Sequence, residues 1–264
     1  MMSGTGDKPE SPNLLISAIW MLVHAIFTWI EQLLRLLQRC RKILSNQRWS
    51  ANVTAVYWLE QSQHFVRKEL QHVTKIPQHL VILLGPEMPD YRHLAKFIFW
   101  SHAAGIDYVS FYDHNGTIKQ NHEKIRRCVG DVLPDGTGGI VWSPHQADQT
   151  SGRTTVTFLS PEDGKQGLVV LSRSIGESVR RRDLTLSEVS IEFLDNRIQA
   201  SRNNLPDPDL AVYFGDICST YGLLPWQIRL TEFMQLERSL RDCSELHFVN
   251  CLLKYAKCEQ RLGT

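Results

Sequence analysis

The chain opens on an apolar stretch. From Ser11 to Ile30 there is no Asp, Glu, Lys or Arg, and Leu, Ile, Val, Ala, Met, Phe and Trp fill most positions. As a helix, about 20 residues span ~30 Å, roughly one bilayer hydrocarbon core. The spacing predicts a helix over 53–71. His79–Leu84 is then a short, branched apolar run of the kind a strand buried on both faces shows. A helical pattern follows over Tyr91–Ala104, with Leu94, Phe97 and Ile98 on one face and Gly105 as its C-terminal stop. Tyr108–Tyr112 and Thr154–Leu159 read as strands, with a helix over Ile118–Cys128 between them. Gly167–Arg181 and Ser187–Ala200 read as helices, the second capped by Ser187. The Pro206–Asp209 segment breaks the chain before a strand at Leu210–Phe214. A short strand is expected over Trp226–Thr231 and a last helix over Ser244–Gln260, with Val249, Leu252, Leu253 and Ala256 on one side.

Strand–helix alternation predicts an α/β domain with a central, mostly parallel sheet flanked by helices. The chain divides into residues 1–13 as an N-terminus, 14–30 as a transmembrane helix, 31–75 as a basic amphipathic juxtamembrane and helical connector, and 76–264 as the α/β domain. Alternative readings of the apolar stretch are a cleaved signal peptide and an interfacial helix. A signal peptide wants a basic start and a small-residue cleavage site. Here Lys8 is balanced by Asp7 and Glu10, and no such site follows.

Composition adds little and excludes some classes. The 264 residues carry 29 Lys+Arg against 28 Asp+Glu, a net charge of +1, with 42% hydrophobic residues. That balance gives no support to wholesale nucleic-acid binding and none to disorder. Local charge matters more. The first thirteen residues carry only Lys8, whereas residues 31–50 carry Arg35, Arg39, Arg41, Lys42 and Arg48. A basic flank on that side places the C-terminal domain in the cytosol. Two sequons, at Asn52 and Asn115, point weakly the other way. The six cysteines form no C-x-x-C pair, so they read as reduced thiols rather than a disulfide frame or zinc site.

In a parallel sheet, ligands bind beyond the carboxyl ends of the strands. Those ends are Gly85–Glu87, Asp113–Asn115, Ser160–Lys165 and Gly215–Ser219. Asp113 and His114 could form an acid–base pair, or a turn aspartate with a capping histidine. Ser160–Lys165 has a turn composition, with Asp163 and Lys165 as candidate site residues. The glycines of 135–139 lack the Lys-Ser/Thr of a phosphate loop.

Several motifs go together: Tyr112-Asp-His-Asn-Gly116, Leu159-Ser-Pro-Glu-Asp-Gly-Lys165, Pro206-Asp-Pro-Asp-Leu210, the run from Ser219 to Glu232, and Cys258-Glu-Gln-Arg-Leu-Gly263. With them, residues 76–264 resemble the cis-prenyltransferase family, and within it the non-catalytic subunits of dehydrodolichyl diphosphate synthase. The resemblance implies a reaction that condenses isopentenyl diphosphate with an allylic diphosphate. The product is a long-chain polyprenyl diphosphate used for dolichol synthesis and protein glycosylation. Carboxylates must hold Mg2+ for the leaving diphosphate, and arginines must clamp two polyanions. Against that pattern, Gly85 stands where catalytic members carry aspartate, and Glu87 is the only acid in the loop. Tyr213 and Ser219 stand where they carry arginine, and residues 81–91 and 203–228 contain no Arg at all. Glu232 matches a family glutamate associated with the metal.

The resemblance therefore implies a chain that is not active alone, with Mg2+ bound in a catalytic partner. Its Arg261 and Gly263 belong to the family's Arg-x-Gly tail and would bind substrate diphosphate in trans, in the partner's active site. The expected location is the endoplasmic reticulum membrane, and the expected partner surface is Leu223–Phe233 with the last helix. The alternative is a membrane-anchored receptor or scaffold that binds protein ligands.

Overall fold

A computed structural model describes residues 20–37, 52–133, 138–142, 152–202 and 205–259. The chain divides into two compact units, Met1–Ala55 and Val56–Thr264. In the first, residues 20–37 form a helix, α1, and its large apolar side chains are exposed, Trp29 at 75% and Phe27 at 66%. The helix continues seven residues past Ile30, and the first six residues of the expected 14–30 span lie outside the described residues. Among the described residues no helix is long and apolar enough to cross a membrane.

The second unit is built on six strands: β1 (His79–Leu83), β2 (Tyr108–Tyr112), β3 (Ile140–Trp142), β4 (Thr154–Leu159), β5 (Leu210–Phe214) and β6 (Glu232–Leu236). They lie in the order β3-β4-β2-β1-β5-β6, and every neighbouring pair is parallel. All five residues of β1 and of β5 are buried, because both strands are central and covered on two faces. The helices are α2 (Asn52–Leu70), α3 (Tyr91–Ala103), α4 (Thr117–Gln120), α5 (His122–Gly130), α6 (Lys165–Arg180), α7 (Ile191–Ser201) and α8 (Glu245–Ala256).

The register separates two faces. On one, Phe97 of α3 lies 6.0 Å from Phe214, 5.9 Å from Phe248 of α8 and 5.0 Å from Trp100. Trp100 donates its indole N–H to Ser62 of α2 at 2.6 Å, which ties α2 to α3. On the other face, Val81, Leu83, Tyr112, Leu159, Ala211 and Tyr213 pack against Leu223 and Leu224.

Several boundaries differ from the sequence expectation, each for a local reason. The strand expected at Trp226–Thr231 is a turn followed by a 3-10 helix at Ile228–Leu230, and the strand is Glu232–Leu236. Gln227 and Ile228 both donate backbone N–H to the Leu224 carbonyl, which satisfies them locally, whereas 232–236 pairs with β5. The helix expected over Ile118–Cys128 is two helices that meet at Asn121. Ser190, not Ser187, caps α7, its hydroxyl accepting from the Phe193 N–H at 3.1 Å. Ser187 instead sits in a short 3-10 turn whose Thr185 and Glu188 form a reciprocal cap. Strand β3 is not among the expected elements: Ile140, Val141 and Trp142 favour a strand, but three positions are too few to show a period, and pairing with Thr154–Val156 fixes it.

Candidate functional site

The carboxyl ends of β1, β2, β4 and β5 gather the expected loops. Gly85 follows β1 with φ +59°, a left-handed conformation that favours glycine. Above it lies the ring of Tyr221. A Cβ built on Gly85 would meet that ring at 3.0 Å, closer than real Cβ atoms normally come. Tyr221 is held from below: the Tyr112 hydroxyl donates to its carbonyl at 2.7 Å. Its ring also stacks on His114, centroids 5.6 Å apart. Tyr221 itself has φ +50° and Leu224 φ +29°, so the segment is kept in an unfavourable backbone conformation by its packing.

Three acids at this end, Asp113, Asp163 and Glu87, are engaged in holding loops. Asp113 accepts from the backbone N–H groups of Thr117 and Ile118 at 2.8 and 2.9 Å, so it satisfies the first donors of α4, whose N-cap is Gly116. It makes no pair with His114, whose contact is the Tyr221 ring. Asp163 accepts from the Ser160 N–H at 2.8 Å, the Ser160 hydroxyl at 2.9 Å and the Lys119 ammonium at 2.6 Å. The Glu87 carboxylate accepts from the Leu240 N–H at 2.7 Å; burial raises its pKa and that bond opposes the rise. Lys165 starts α6 and donates its backbone N–H to the Gly222 carbonyl at 3.1 Å. A Cβ on Gly164 would strike that same carbonyl at 2.1 Å, so the β4–α6 turn and the 219–224 segment interlock through glycine.

The two positions expected to matter on β5 and after it are equally occupied. Tyr213 is 9% exposed and packs in the apolar cluster. The Ser219 hydroxyl accepts from the Tyr221 N–H at 3.2 Å. Burial, with the charges of Asp113 and Asp163, pushes the Tyr112 phenol up to about 12, so it remains a donor. Glu232 is not part of this end. It pairs with Leu210 at the start of β5 and β6, across the sheet from Gly85, and its N–H goes to the Asp209 carbonyl at 2.9 Å. Among the described residues no group of three or more His, Cys, Asp or Glu side chains comes together as a metal site. Arg261 and Gly263 lie outside the described residues. The last described contact before them is the Lys75 ammonium on the Cys258 carbonyl at 2.6 Å.

No family model matches the chain. Individual proteins do. The mouse protein named dehydrodolichyl diphosphate synthase complex subunit Nus1 is 33% identical over 208 residues, covering 75% of this chain and 69% of its own length. The human protein of the same name is 33% identical over 211 residues, 75% of this chain and 70% of its own. The chain belongs to the Nus1 family of cis-prenyltransferase subunits. A more distant relative is the ditrans,polycis-undecaprenyl-diphosphate synthase of Micrococcus luteus, 23% identical over half of this chain. Lavandulyl diphosphate synthase from Lavandula x intermedia shares the fold, with a TM-score of 0.53 at 14% identity over 70% of this chain and 98% of that one.

In this Nus1-family chain the space beside Gly85 is taken by an aromatic ring. Sequence reasoning identified Gly85, Tyr213 and Ser219 as departures from the catalytic pattern. It passed over Tyr221, the residue that occupies the space beside Gly85. The only signal for it was an aromatic immediately before a glycine, Gly222, whose φ is +81°.

Proposed function

We propose that this chain is the accessory subunit of a cis-prenyltransferase complex and is not catalytic by itself. The complex condenses isopentenyl diphosphate onto an allylic diphosphate and makes long-chain polyprenyl diphosphate for dolichol synthesis and protein glycosylation. The observation that carries this reading is Tyr221 against Gly85. A diphosphate site needs an acid and cationic donors facing open space. Here the acid position is glycine, an aromatic ring covers it, and the two arginine positions are a buried tyrosine and a serine that holds the loop.

Magnesium, which assists departure of diphosphate in such reactions by neutralising its charge, does not fit this end of the chain. Glu87 and Asp163 are committed to backbone and ammonium partners, and Glu232 lies at the other end of the sheet. We assign the metal to the catalytic partner. Arg261 and Gly263 supply the complementary part in trans: a guanidinium to pair with diphosphate oxygens, and a backbone that can approach closely. The partner surface is assigned to Leu223–Phe233 and α8, where Leu230 and Leu246 are 46% and 51% exposed. Residues 14–30 are assigned as a single-pass anchor in the endoplasmic reticulum membrane, with the α/β domain cytosolic. The exposed apolar side chains of α1 and the basic residues after it support this.

The deciding experiment is incorporation of radiolabelled isopentenyl diphosphate by the purified chain, alone and co-purified with its catalytic partner. The expected result is product only from the pair. Appreciable turnover by the chain alone would overturn the reading.

A further inference from the structure

Along α1 the polar and apolar residues separate without exception from residue 22 to 37. Projected at about 100° per residue, His24, Thr28, Glu31, Gln32 and Arg35 fall within an arc of roughly 100°. Every residue outside that arc is Leu, Val, Ala, Ile, Phe or Trp. Four of the polar residues follow one another at spacings of four, three and four, the spacing of a seam between two supercoiled helices. The polar groups already engage along the helix. The Arg35 guanidinium lies 3.2 Å from Glu31, and the Thr28 hydroxyl donates to the His24 carbonyl at 2.8 Å.

A headgroup-facing stripe of an interfacial helix is strongly charged and rich in Lys and Arg. This stripe has one acid and one base, and they are paired. In lipid, polar side chains on an apolar helix face protein and hydrogen-bond across to a neighbour. The occupant that matches this stripe is another copy of itself. In a parallel pair Glu31 of one copy lies one layer from Arg35 of the other, so the two ion pairs become a closed, neutral set. His24 and Thr28 each supply both donor and acceptor to their counterparts.

We propose that the His24–Thr28–Glu31–Arg35 stripe, whose first two residues lie in the 14–30 span and whose last two lie at its cytosolic edge, is the seam through which two copies of this chain pair. The proposal rests on the membrane reading above.

The test uses the full chain co-expressed with its catalytic partner and reconstituted in phosphatidylcholine vesicles. A photo-crosslinking amino acid is placed at position 28, on the stripe, or at position 33, opposite it. The expected result is a crosslink between two copies at least several-fold stronger from 28 than from 33. Glu31→Lys or Arg35→Glu alone should cut it several-fold, and the two together should restore it. Equal crosslinking from both positions, or crosslinks from 28 to lipid or to the catalytic partner alone, would overturn the pairing. Flotation of the vesicles separates the two readings. A chain that floats without stripe-dependent crosslinks overturns only the pairing, and one that does not float overturns the membrane reading with it.

Discussion

Position 85 is where one side chain decides what the strand ends can do. Aspartate there would need φ +59° and a Cβ 3.0 Å from the Tyr221 ring. Gly85→Asp should therefore destabilise the domain by roughly 1–3 kcal/mol, read as a fall in the urea midpoint. Tyr221→Gly relieves the contact but not the backbone strain, so the double variant should recover part of that loss. Equal midpoints for Gly85→Asp in the two backgrounds would show that the ring is not what excludes the side chain. His79 tests a different property, burial without charge. It is fully buried, and its ring bonds to the Pro206 carbonyl at 2.7 Å and the Ser110 hydroxyl at 2.8 Å. Burial, followed by the opposing bond to Pro206 and the Arg202 charge, leaves its pKa at about 3, against 6.5 unfolded. The folded value is the lower one, so the unfolded chain binds the extra proton. This contribution to stability is complete above about pH 6.5 and is lost as pH falls from there toward 3. Thermal melts between pH 7 and 4 should show that decline, and His79→Gln should flatten it. The imidazole resonances of His79 should remain those of a neutral ring at pH 5.

Among the elements, the segment between β5 and β6 is the one that closes the site. It is anchored by the Tyr112 bond to the Tyr221 carbonyl and by the Trp226 indole N–H on the Asp195 carboxylate at 3.2 Å. Tyr112→Phe removes the first of these and leaves a partly buried carbonyl without its donor. It should cost about 1–2 kcal/mol and speed proteolytic cleavage within 215–231 under native conditions. Unchanged cleavage would show that the apolar contacts of Leu223 and Leu224 suffice. Helix α3 offers a second check. Asp90 caps it, accepting from the His93 N–H at 3.3 Å, and also holds Arg241 at 3.0 Å. Asp90→Ala should lower stability by about 1–2 kcal/mol, measured by denaturant titration, and loosen the loop before α8.

For the whole molecule, the test is the complex. Arg261→Ala should cut turnover of the co-purified pair by at least tenfold while leaving the melting temperature of the accessory chain unchanged. Unaltered kinetics would remove the tail from the mechanism. A mobility shift on glycosidase treatment at Asn52 or Asn115 would reverse the proposed topology.

The apolar pattern was enough to locate β1 and β5 almost to the residue, because a strand buried on both faces leaves a near-continuous apolar run, and β2 and β4 because branched and aromatic residues favour strands. The resemblance to the cis-prenyltransferases points to Gly85, Tyr213 and Ser219 as departures from the catalytic pattern, since the absence of an acid or a guanidinium is a property of residue type. What the sequence could not specify was decided by pairing and packing. Strand β3 exists because β4 lies beside it, and β6 starts at Glu232 because β5 supplies partners there. That start carries Glu232 away from Gly85. Only the folded chain brings Tyr221 over Gly85, since they lie 136 positions apart and nothing local to either position encodes their contact.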